Sequence, residues 1–238
     1  MLVDERHRPS ARRARRFHAV PSGADAEREK RAAAEAAAEL IEDGMAVGLG
    51  TGSTVAHLLP ALAARELDVR CVATSPATER EARELGLRVE PFDGLDELDI
   101  AIDGADQVAP DGWLVKGGGG AHLREKIVAA AAERFVVIVD SGKPVQELSP
   151  PVPLELLSFG LRATLRALGH AELRDAPASP DGGLLADYLG SIGDPGTLAA
   201  QLAATAGVIE HGLFAPELVS DVLVGQGDQV QELRPSAR

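Results

Sequence analysis

A lysine, four consecutive glycines and a carboxylate occur together in the segment KGGGGAHLREK, residues 116–126. Glycine loses conformational entropy wherever it is fixed, so this run predicts a loop whose backbone must approach another group closely. Lys116 and the N–H groups of the loop could stabilise a developing oxyanion, and Glu125, near the start of a predicted helix, could carry a proton. Burial would raise the pKa of Glu125, whereas the helix N-terminus and a nearby lysine would lower it. The segment alone also fits a flexible loop followed by a solvent-exposed glutamate.

Two aspartates follow an apolar run in the segment DIAIDGADQ. They are Asp103 and Asp106, and Gly104 and Ala105 lie between them. In open α/β sheets, ligands bind at the carboxyl ends of the strands. Carboxylates at such a position could take part in acid–base chemistry or accept hydrogen bonds from sugar hydroxyls. The alternative is an Asp-Gly turn that only begins the next element.

The segment GLGTGST, residues 48–54, lies between a predicted strand and a predicted helix, a context typical of an anion-binding loop. It lacks the Gly-Lys-Ser/Thr of a Walker A loop and the third glycine of a dinucleotide-binding motif. Its hydroxyl groups suit a single phosphate monoester, although a tight β–α turn is the alternative. Lys143, which follows the apolar run FVVIV, is a weaker candidate for an anion-binding cation, with an ordinary surface lysine as the alternative.

No metal site and no organic cofactor are predicted. The six histidines lack metal-ligand spacing, and there is no His-Glu-x-x-His pattern. Cys71 lies in a predicted strand without an activating partner and is assigned to the core. For His122, a satisfied structural or solvent-facing side chain is favoured over catalysis.

Charge and composition restrict the possible partners. The chain of 238 residues has a net charge of −13, although residues 1–20 hold six arginines against two acidic residues. A protein with this net negative charge repels nucleic acid and anionic membranes. No apolar run is long enough to span a membrane. The basic N-terminal segment is interpreted as a disordered extension, in preference to a nucleic-acid arm or a transit-like segment. A single cysteine allows no intrachain disulfide and fits a reducing, cytoplasmic location.

The elements that must position these residues alternate along the chain. From Ala24 to Asp140 apolar strands alternate with helices, among them predicted helices at 24–43, 53–67 and 120–134, and this order predicts a mostly parallel sheet with helices on both faces. Residues 150–212 follow the order β-α-β-β-α-β, which predicts a smaller ferredoxin-like α+β unit. The predicted division is a disordered basic tail (1–23), a Rossmann-like catalytic domain (24–147), a small α+β lid or oligomerisation domain (148–212), and a return to the main domain with a C-terminal tail (213–238).

The motifs GTGST, TSPATE, DGAD, KGGGGAHLREK and VDSGKPV occur in this order at successive predicted strand ends. The series resembles ribose-5-phosphate isomerase of the A type, and the resemblance runs from about Lys30 to Val230. It implies an α/β enzyme of the non-oxidative pentose phosphate pathway that interconverts ribose 5-phosphate and ribulose 5-phosphate through an enediolate. It further implies no metal or organic cofactor, a small-molecule sugar phosphate as the partner, and a homodimer or a tetramer.

The resemblance also implies roles for individual residues. Glu125 would be the general base that moves a proton between C1 and C2, and Lys116 with the amides of Gly117, Gly118 and Gly119 would stabilise the enediolate. Asp103 and Asp106 would hold sugar hydroxyls, with Asp103 assisting ring opening and Gly104 and Ala105 contacting the substrate between them. The phosphate would bind to Thr51, Gly52, Ser53 and Thr54, with charge supplied by Lys143 and Lys30.

The sequence departs from the family pattern at two places. Gln107 replaces an acidic residue that often follows DGAD, and SPDGG, residues 179–183, replaces the usual TDNGN turn. Three alternatives stay open: another phosphosugar isomerase, a sugar lactonase, or a non-catalytic sugar-phosphate sensor whose basic tail derives from a DNA-binding segment. The retention of Glu125 beside Lys116 and the short length before residue 24 weigh against the sensor.

Overall fold

The computed structural model of the chain describes residues 22–95 and 97–234. Within these residues the helices are α1 (Gly23–Ala38), α2 (Val55–Ala63), α3 (Pro76–Glu84), α4 (His122–Ala130), α5 (Leu161–Leu168) and α6 (Pro195–Ala204). The strands are β1 (Ala46–Leu49), β2 (Arg70–Ala73), β3 (Arg88–Val89), β4 (Leu98–Asp103), β5 (Gln107–Val108), β6 (Leu114–Val115), β7 (Ala132–Asp140), β8 (Val152–Leu156), β9 (Ala171–Leu173), β10 (Leu184–Tyr188), β11 (Val208–His211), β12 (Leu213–Phe214), β13 (Asp221–Gln226) and β14 (Gln229–Leu233). No helix in this part of the chain has the length and apolar character needed to cross a membrane.

A seven-stranded sheet in the order β14-β13-β7-β4-β1-β2-β3 forms the centre of the molecule. All neighbouring strands in it are parallel except the pair β13 and β14. The strand order changes direction between β1 and β4, and in such sheets the crevice at the carboxyl ends of the two strands is the usual binding site. The Rossmann-like mostly parallel sheet that the sequence predicts is therefore confirmed.

The two faces of this sheet pack against different helices. In β4, Ile100 and Ile102 belong to the core formed with α1 and α2, whereas Ala101 belongs to the core formed with α4. This alternation follows from the two-residue period of a strand. A continuous apolar strand can therefore serve two helical layers at once. The helix that carries Glu125 and the helix that follows the GTGST loop consequently lie on opposite faces of the sheet.

A second sheet has the order β11-β8-β10-β9, with every neighbouring pair antiparallel. Its elements follow along the chain as β8-α5-β9-β10-α6-β11, which is the ferredoxin-like order that the sequence predicts. Helices α5 and α6 pack their apolar residues, including Leu168, Leu198 and Leu202, against this sheet. The division into domains at residues 24, 148 and 213 stays a prediction.

A small three-stranded sheet, β12-β6-β5, joins the two larger ones. The N–H of Lys116, directly after β6, donates to the carbonyl of Gly212 (2.8 Å), and the N–H of Gly212 donates to the carbonyl of Pro153 in β8 (2.7 Å). Lys116 is therefore fixed between the central sheet and the ferredoxin-like sheet.

Several sequence-based predictions of element ends were wrong. The predicted helix 24–43 ends at Ala38, where the guanidinium of Arg65 donates to the carbonyls of Ala38 and Ile41. The predicted helix 120–134 ends at Ala130, because residues 132–134 pair with β4 as the start of β7. Alanine favours a helix by only a few tenths of a kcal/mol, and strand pairing overrides that preference.

At both ends of the chain the structure differs from the prediction, and it describes only part of each predicted tail. Ser22 is the N-cap of α1, and its hydroxyl accepts a hydrogen bond from the N–H of Asp25. The rest of the predicted basic tail, residues 1–21, lies outside the described residues. The predicted C-terminal tail contains β14, which forms the edge of the central sheet, while residues 235–238 lie outside the described residues.

We expect Gly48→Ala to destabilise the protein by about 1–3 kcal/mol, the usual cost of overpacking a core. A Cβ at Gly48 in β1 would lie 2.5 Å from Cγ1 of Val128 in α4 and 2.9 Å from Cβ of Ala101. Chemical denaturation would measure the loss, and the double variant with Val128→Ala should recover part of it. Gly23→Ala is the control, since a Cβ there meets no atom within 4 Å. A Gly48→Ala protein as stable as the wild type would contradict this account of the packing.

Candidate active site

The candidate site lies where β1 and β4 end, at the point where the strand order changes direction. Oδ1 of Asp103 accepts hydrogen bonds from the N–H groups of Thr51 (3.0 Å) and Gly104 (2.7 Å). A Cβ at Gly50 would overlap the carboxylate of Asp103, so only glycine fits there. Asp103 thus holds the two loops together. The sequence analysis named the loop containing Gly50 but missed the steric reason for that glycine.

Three buried charges form the centre of the site. Nζ of Lys116 lies 2.9 Å from Oδ2 of Asp103 and 3.2 Å from Oε2 of Glu125. Lys116 is only 2% exposed and Glu125 only 4%, and Lys116 also donates to the carbonyl of Gly104. Apart from this ion pair, Oε2 of Glu125 makes no hydrogen bond to a described residue. One ammonium therefore faces two carboxylates away from water.

The charge balance sets the proton affinities of these groups. Burial and, to a lesser extent, the charge of Asp103 raise the pKa of Glu125, Lys116 opposes both, and the net result is a pKa of about 7. Burial lowers the pKa of Lys116, but the charges of Asp103 and Glu125 outweigh burial, so its pKa is raised. A base with a pKa near neutrality can both take up and release a proton at physiological pH. The sequence left open whether burial or the opposing positive charges decide the pKa of Glu125. In the structure, burial has the larger effect.

The glycine loop is held at its middle residue. Oδ2 of Asp106 accepts a hydrogen bond from the N–H of Gly118 (3.0 Å). The N–H groups of Gly117 and Gly119 make no hydrogen bond to another described residue. Gly117 has a φ of +91°, and a Cβ on it would overlap His122, so a side chain is excluded there on both grounds. The loop therefore presents two free donors, with the amide of Gly118 already occupied.

The hydroxyl of Thr51 is bound by two residues that the sequence analysis did not assign. It lies 2.9 Å from the hydroxyl of Thr74 and 3.1 Å from that of Thr78, and Thr78 also donates to the carbonyl of Gly50 (3.0 Å). The motif TSPATE contains both threonines, so their place in the motif series was the available signal.

The first turn of α2 follows this loop and is suited to an anion. Gly52, with a φ of +118°, and Ser53 are exposed, while Thr54 is buried and its side chain forms no cap hydrogen bond. The backbone N–H groups at a helix N-terminus have no partner within the helix and carry partial positive charge. The predicted phosphate loop thus keeps the N–H groups of Gly52, Ser53 and Thr54 free of hydrogen bonds to other described residues, whereas the N–H of Thr51 is bound to Asp103.

The two outlying lysines do not contact this loop. Lys143 lies half-buried beyond β7, and its side chain makes no hydrogen bond or ion pair with a described residue. Nζ of Lys30 in α1 lies 2.6 Å from Oε1 of Glu27, whose other oxygen lies 3.0 Å from His57. The structure brings together Asp103, Asp106, Lys116 and Glu125 with the glycine loop, but it leaves Lys30 and Lys143 without a direct contact to them.

His122 is fully buried, which the sequence analysis did not anticipate. Neither ring nitrogen makes a hydrogen bond of normal geometry to a described residue, and the ring is buried, so the solvent-facing alternative was wrong, while the structural role stays a prediction. Burial and, to a lesser extent, the charge of Lys126 together lower the pKa of His122 to about 4. The neutral ring fills the space beneath Gly117, where a polar side chain is tolerated because it carries no charge.

Helix α4 is anchored on both sides of Glu125. Arg124 makes two hydrogen bonds to Asp181 in the SPDGG turn (2.8 and 2.7 Å). Lys126 binds Glu210 and the carbonyl of His211, both at 2.6 Å. Nothing in the local sequence of α4 indicates these partners, since each lies more than fifty residues away along the chain.

An aromatic ring lies between the two lysines near Glu125. Nζ of Lys116 is 5.3 Å from the ring centroid of Phe214, and Nζ of Lys126 is 4.9 Å from it. The face of an aromatic ring attracts cations within about 6 Å. Phe214 therefore lies within cation–π distance of both ammonium groups.

Comparisons with known proteins identify related sequences and structures. Residues 70–229 match the family model of ribose 5-phosphate isomerase A (phosphoriboisomerase A), and residues 25–85 also match that of the DeoR C terminal sensor domain. A ribose-5-phosphate isomerase A of Caulobacter sp. (strain K31) is 43% identical over 225 residues, which cover 88% of this chain and 99% of that protein.

Solved structures give the same result. Ribose 5 phosphate isomerase A from Neisseria gonorrhoeae superposes with a TM-score of 0.84 at 32% identity, covering 89% of this chain and 98% of that one. A D-ribose-5-phosphate isomerase in complex with phospho-erythronic acid has a TM-score of 0.83 at 36% identity, covering 88% and 99%. On the family model and on relatives that match over nearly their whole length, the chain belongs to the ribose 5-phosphate isomerase A family.

Proposed function

We propose that this protein interconverts D-ribose 5-phosphate and D-ribulose 5-phosphate, and that Glu125 moves the proton between C2 and C1 through an enediolate. The observation that carries the assignment of the base is the buried Glu125, which has a pKa near 7 and forms an ion pair with Lys116 (3.2 Å). A related isomerase binds phospho-erythronic acid, a phosphorylated acid whose flat carboxylate resembles the reacting end of an enediolate.

Glu125 acts as the base because it can be both deprotonated and protonated at neutral pH. In the open-chain aldose it takes the proton from C2, the hydroxyl proton of O2 passes to O1 in the enediolate, and Glu125 returns its proton to C1. Its position in the first turn of α4, fixed by its neighbours Arg124 and Lys126, keeps the carboxylate aligned with both carbons. Rigid positioning of this kind contributes to the rate because the substrate and the base need no further ordering.

The negative charge that develops on the substrate oxygens is stabilised by Lys116 and by the N–H groups of Gly117 and Gly119. Asp103 keeps Lys116 protonated, since the charge of Asp103 raises the lysine pKa. Fixed charges and dipoles in a site shielded from water stabilise an oxyanion more strongly than they would in bulk solvent. The N–H of Gly118 is not assigned to this role, because Asp106 already accepts from it.

The remaining predicted residues bind the substrate in this proposal. The carboxylates of Asp103 and Asp106, with the backbone of Gly104 and Ala105, hold the sugar hydroxyls and position O1 and O2. The loop of Thr51, Gly52, Ser53 and Thr54 takes the phosphate at the N-terminus of α2, and Lys143 and Lys30 add positive charge.

The sensor alternative is favoured by one observation, the match of residues 25–85 to a DeoR C terminal sensor domain. That match spans α1 to α3, including the proposed phosphate loop. It ends before Asp103, Lys116 and Glu125, the residues assigned to proton transfer. A protein that bound ribose 5-phosphate without converting it would support the sensor instead of the isomerase.

We expect Glu125→Gln to lower kcat by about a hundredfold to ten-thousandfold, the usual contribution of a general base, with substrate affinity changed by less than about threefold. The amide keeps the shape of the side chain but cannot accept the proton. Formation of the ketose from ribose 5-phosphate measures kcat, and calorimetry measures binding. The exposed Glu133→Gln is the control and should keep full activity. A near-normal kcat in Glu125→Gln would refute the assignment of the base.

The pH dependence of kcat/KM should show an acid limb near pH 7. A base must be deprotonated to act, so activity is retained above the pKa of Glu125 and lost as the pH falls below it. Because the charge of Asp103 raises that pKa, Asp103→Asn should shift the limb to lower pH in addition to reducing the rate. A limb near pH 4, the usual range of an exposed glutamate, would show that Glu125 is not held as described.

We also propose that the protein is a homodimer. Phe159 is 86% exposed, and Leu157, two residues before it in the segment between β8 and α5, is half exposed. A large aromatic side chain beside a second apolar residue on the surface is typical of a contact with another chain.

Sedimentation velocity tests the proposed dimer. We expect a dimer for the wild type and a monomer for Phe159→Asp. Leu85→Asp, which changes an exposed leucine after α3, should leave the dimer intact. A monomeric wild type at micromolar concentration would rule the dimer out.

A further inference from the structure

We infer that Arg174, contributed by the ferredoxin-like sheet, is a positioning residue for the oxyanion-binding amide of Gly119. The inference rests on the proposed isomerase function and adds a residue to it. Arg174 lies directly after β9, 55 positions from Gly119 along the chain, and no motif in the sequence marks it.

The guanidinium of Arg174 makes hydrogen bonds to two different residues, Asp187 and Gly118. Its Nε and Nη2 donate to the two carboxylate oxygens of Asp187 in β10 (2.8 and 2.6 Å). Its Nη1 donates to the carbonyl of Gly118 at 2.9 Å. The side chain is 17% exposed, and the backbone N–H of Arg174 donates to the carbonyl of Leu185 in β10 (2.9 Å). A planar, two-point pair fixes the orientation of the guanidinium, so the direction of the third hydrogen bond is fixed as well.

Gly118 is consequently held at both of its peptide groups. Asp106 accepts from its N–H (3.0 Å), and Arg174 donates to its carbonyl. In a trans peptide the carbonyl and the following N–H point in opposite directions. Fixing the carbonyl of Gly118 therefore fixes the direction of the N–H of Gly119, one of the two free donors of the loop.

One turn hydrogen bond, from the N–H of Gly120 to the carbonyl of Gly117 (2.9 Å), also closes the loop, but it leaves open which way the central peptide between Gly118 and Gly119 faces. Gly118 and Gly119 are exposed, and a Cβ on Gly119 would meet no atom within 4 Å, so packing does not orient that peptide. Glycine also has the widest choice of backbone conformations. Without the hydrogen bond from Arg174, the peptide between Gly118 and Gly119 can rotate, and the donor is lost from the oxyanion.

Because Arg174 is paired with Asp187, its proposed effect comes from orienting the peptide of Gly118 and Gly119 and not from attracting the negative charge of the substrate. The carboxylate offsets the charge of the guanidinium, so Arg174 adds little net field to the site. None of its hydrogen bonds reaches the Thr51–Thr54 loop, so phosphate binding does not depend on it. Its effect is therefore confined to the step in which negative charge develops.

The test compares Arg174→Ala and Arg174→Lys with the wild type in the ketose-formation assay. Loss of one oxyanion donor costs about a hundredfold to a thousandfold in kcat when the donor is removed outright. Because rotation of the peptide removes it only part of the time, we expect Arg174→Ala to lower kcat by about tenfold to a hundredfold, with KM for ribose 5-phosphate within about threefold. Phospho-erythronic acid should bind more weakly by a similar factor, and inhibition by inorganic phosphate should be unchanged. The acid limb of Glu125 should stay in place.

Arg162→Ala is the matched control, since Arg162 is an exposed arginine of α5, and it should keep wild-type kinetics. Arg174→Lys keeps the charge but cannot bind Asp187 at two points and Gly118 at a third, so kcat should again fall without a change in KM. This variant decides the matter if Arg174→Ala does not fold.

The outcomes separate the two proposals. A wild type that does not form ketose refutes the isomerase function itself. A wild type that forms ketose, with kcat unchanged in both Arg174 variants or with a loss seen only in KM, overturns the role of Arg174. A loss in kcat together with weaker binding of phospho-erythronic acid supports it.

Discussion

The site depends on one electrostatic constraint: a single buried ammonium must balance two buried carboxylates. Asp103 accepts two backbone hydrogen bonds in addition to its contact with Lys116, whereas Oε2 of Glu125 has only the ion pair with Lys116. The excess negative charge is therefore relieved at Glu125 by a raised proton affinity. Much of the surrounding structure serves to keep this arrangement dry and compact, including the missing side chain at Gly50 and the ring of Phe214 beside Lys116.

The ferredoxin-like sheet supports the reacting groups in addition to forming its own core. It supplies Asp181 to Arg124, Glu210 to Lys126 and Arg174 to the glycine loop. Because these contacts flank Glu125 on both sides, the helix that carries the base cannot shift without disturbing the second sheet. The SPDGG turn therefore supplies an acidic residue, Asp181, to Arg124 of α4.

Much of the site could be predicted from the sequence, because parallel strands bring their carboxyl ends to one edge of the sheet. Asp103, Lys116 and Glu125 follow predicted elements in a fixed order, so local patterns were enough to group them. Arg174 could not be found in this way, since a single arginine on a strand end has no local pattern. Phe214 was missed for the same reason. The start of β7 at Ala132 was missed because helix propensity is a local property, whereas pairing with β4 is not. The pKa of Glu125 could not be predicted either, since it depends on burial that only the folded structure defines.

The carboxylate of Glu29 in α1 has a consequence for the order in which the chain folds. It accepts hydrogen bonds from Ser141 (3.0 and 2.7 Å) and from the N–H of Gly227 in the turn between β13 and β14 (3.0 Å). Strand β13 lies beside β7 in the central sheet, yet the whole ferredoxin-like sheet is inserted between them along the chain. During synthesis on the ribosome the inserted unit emerges first and can complete its own strand pairing. The hydrogen bond between α1 and Gly227 can form only after the hairpin of β13 and β14 emerges, so the central sheet is completed after the ferredoxin-like unit has emerged.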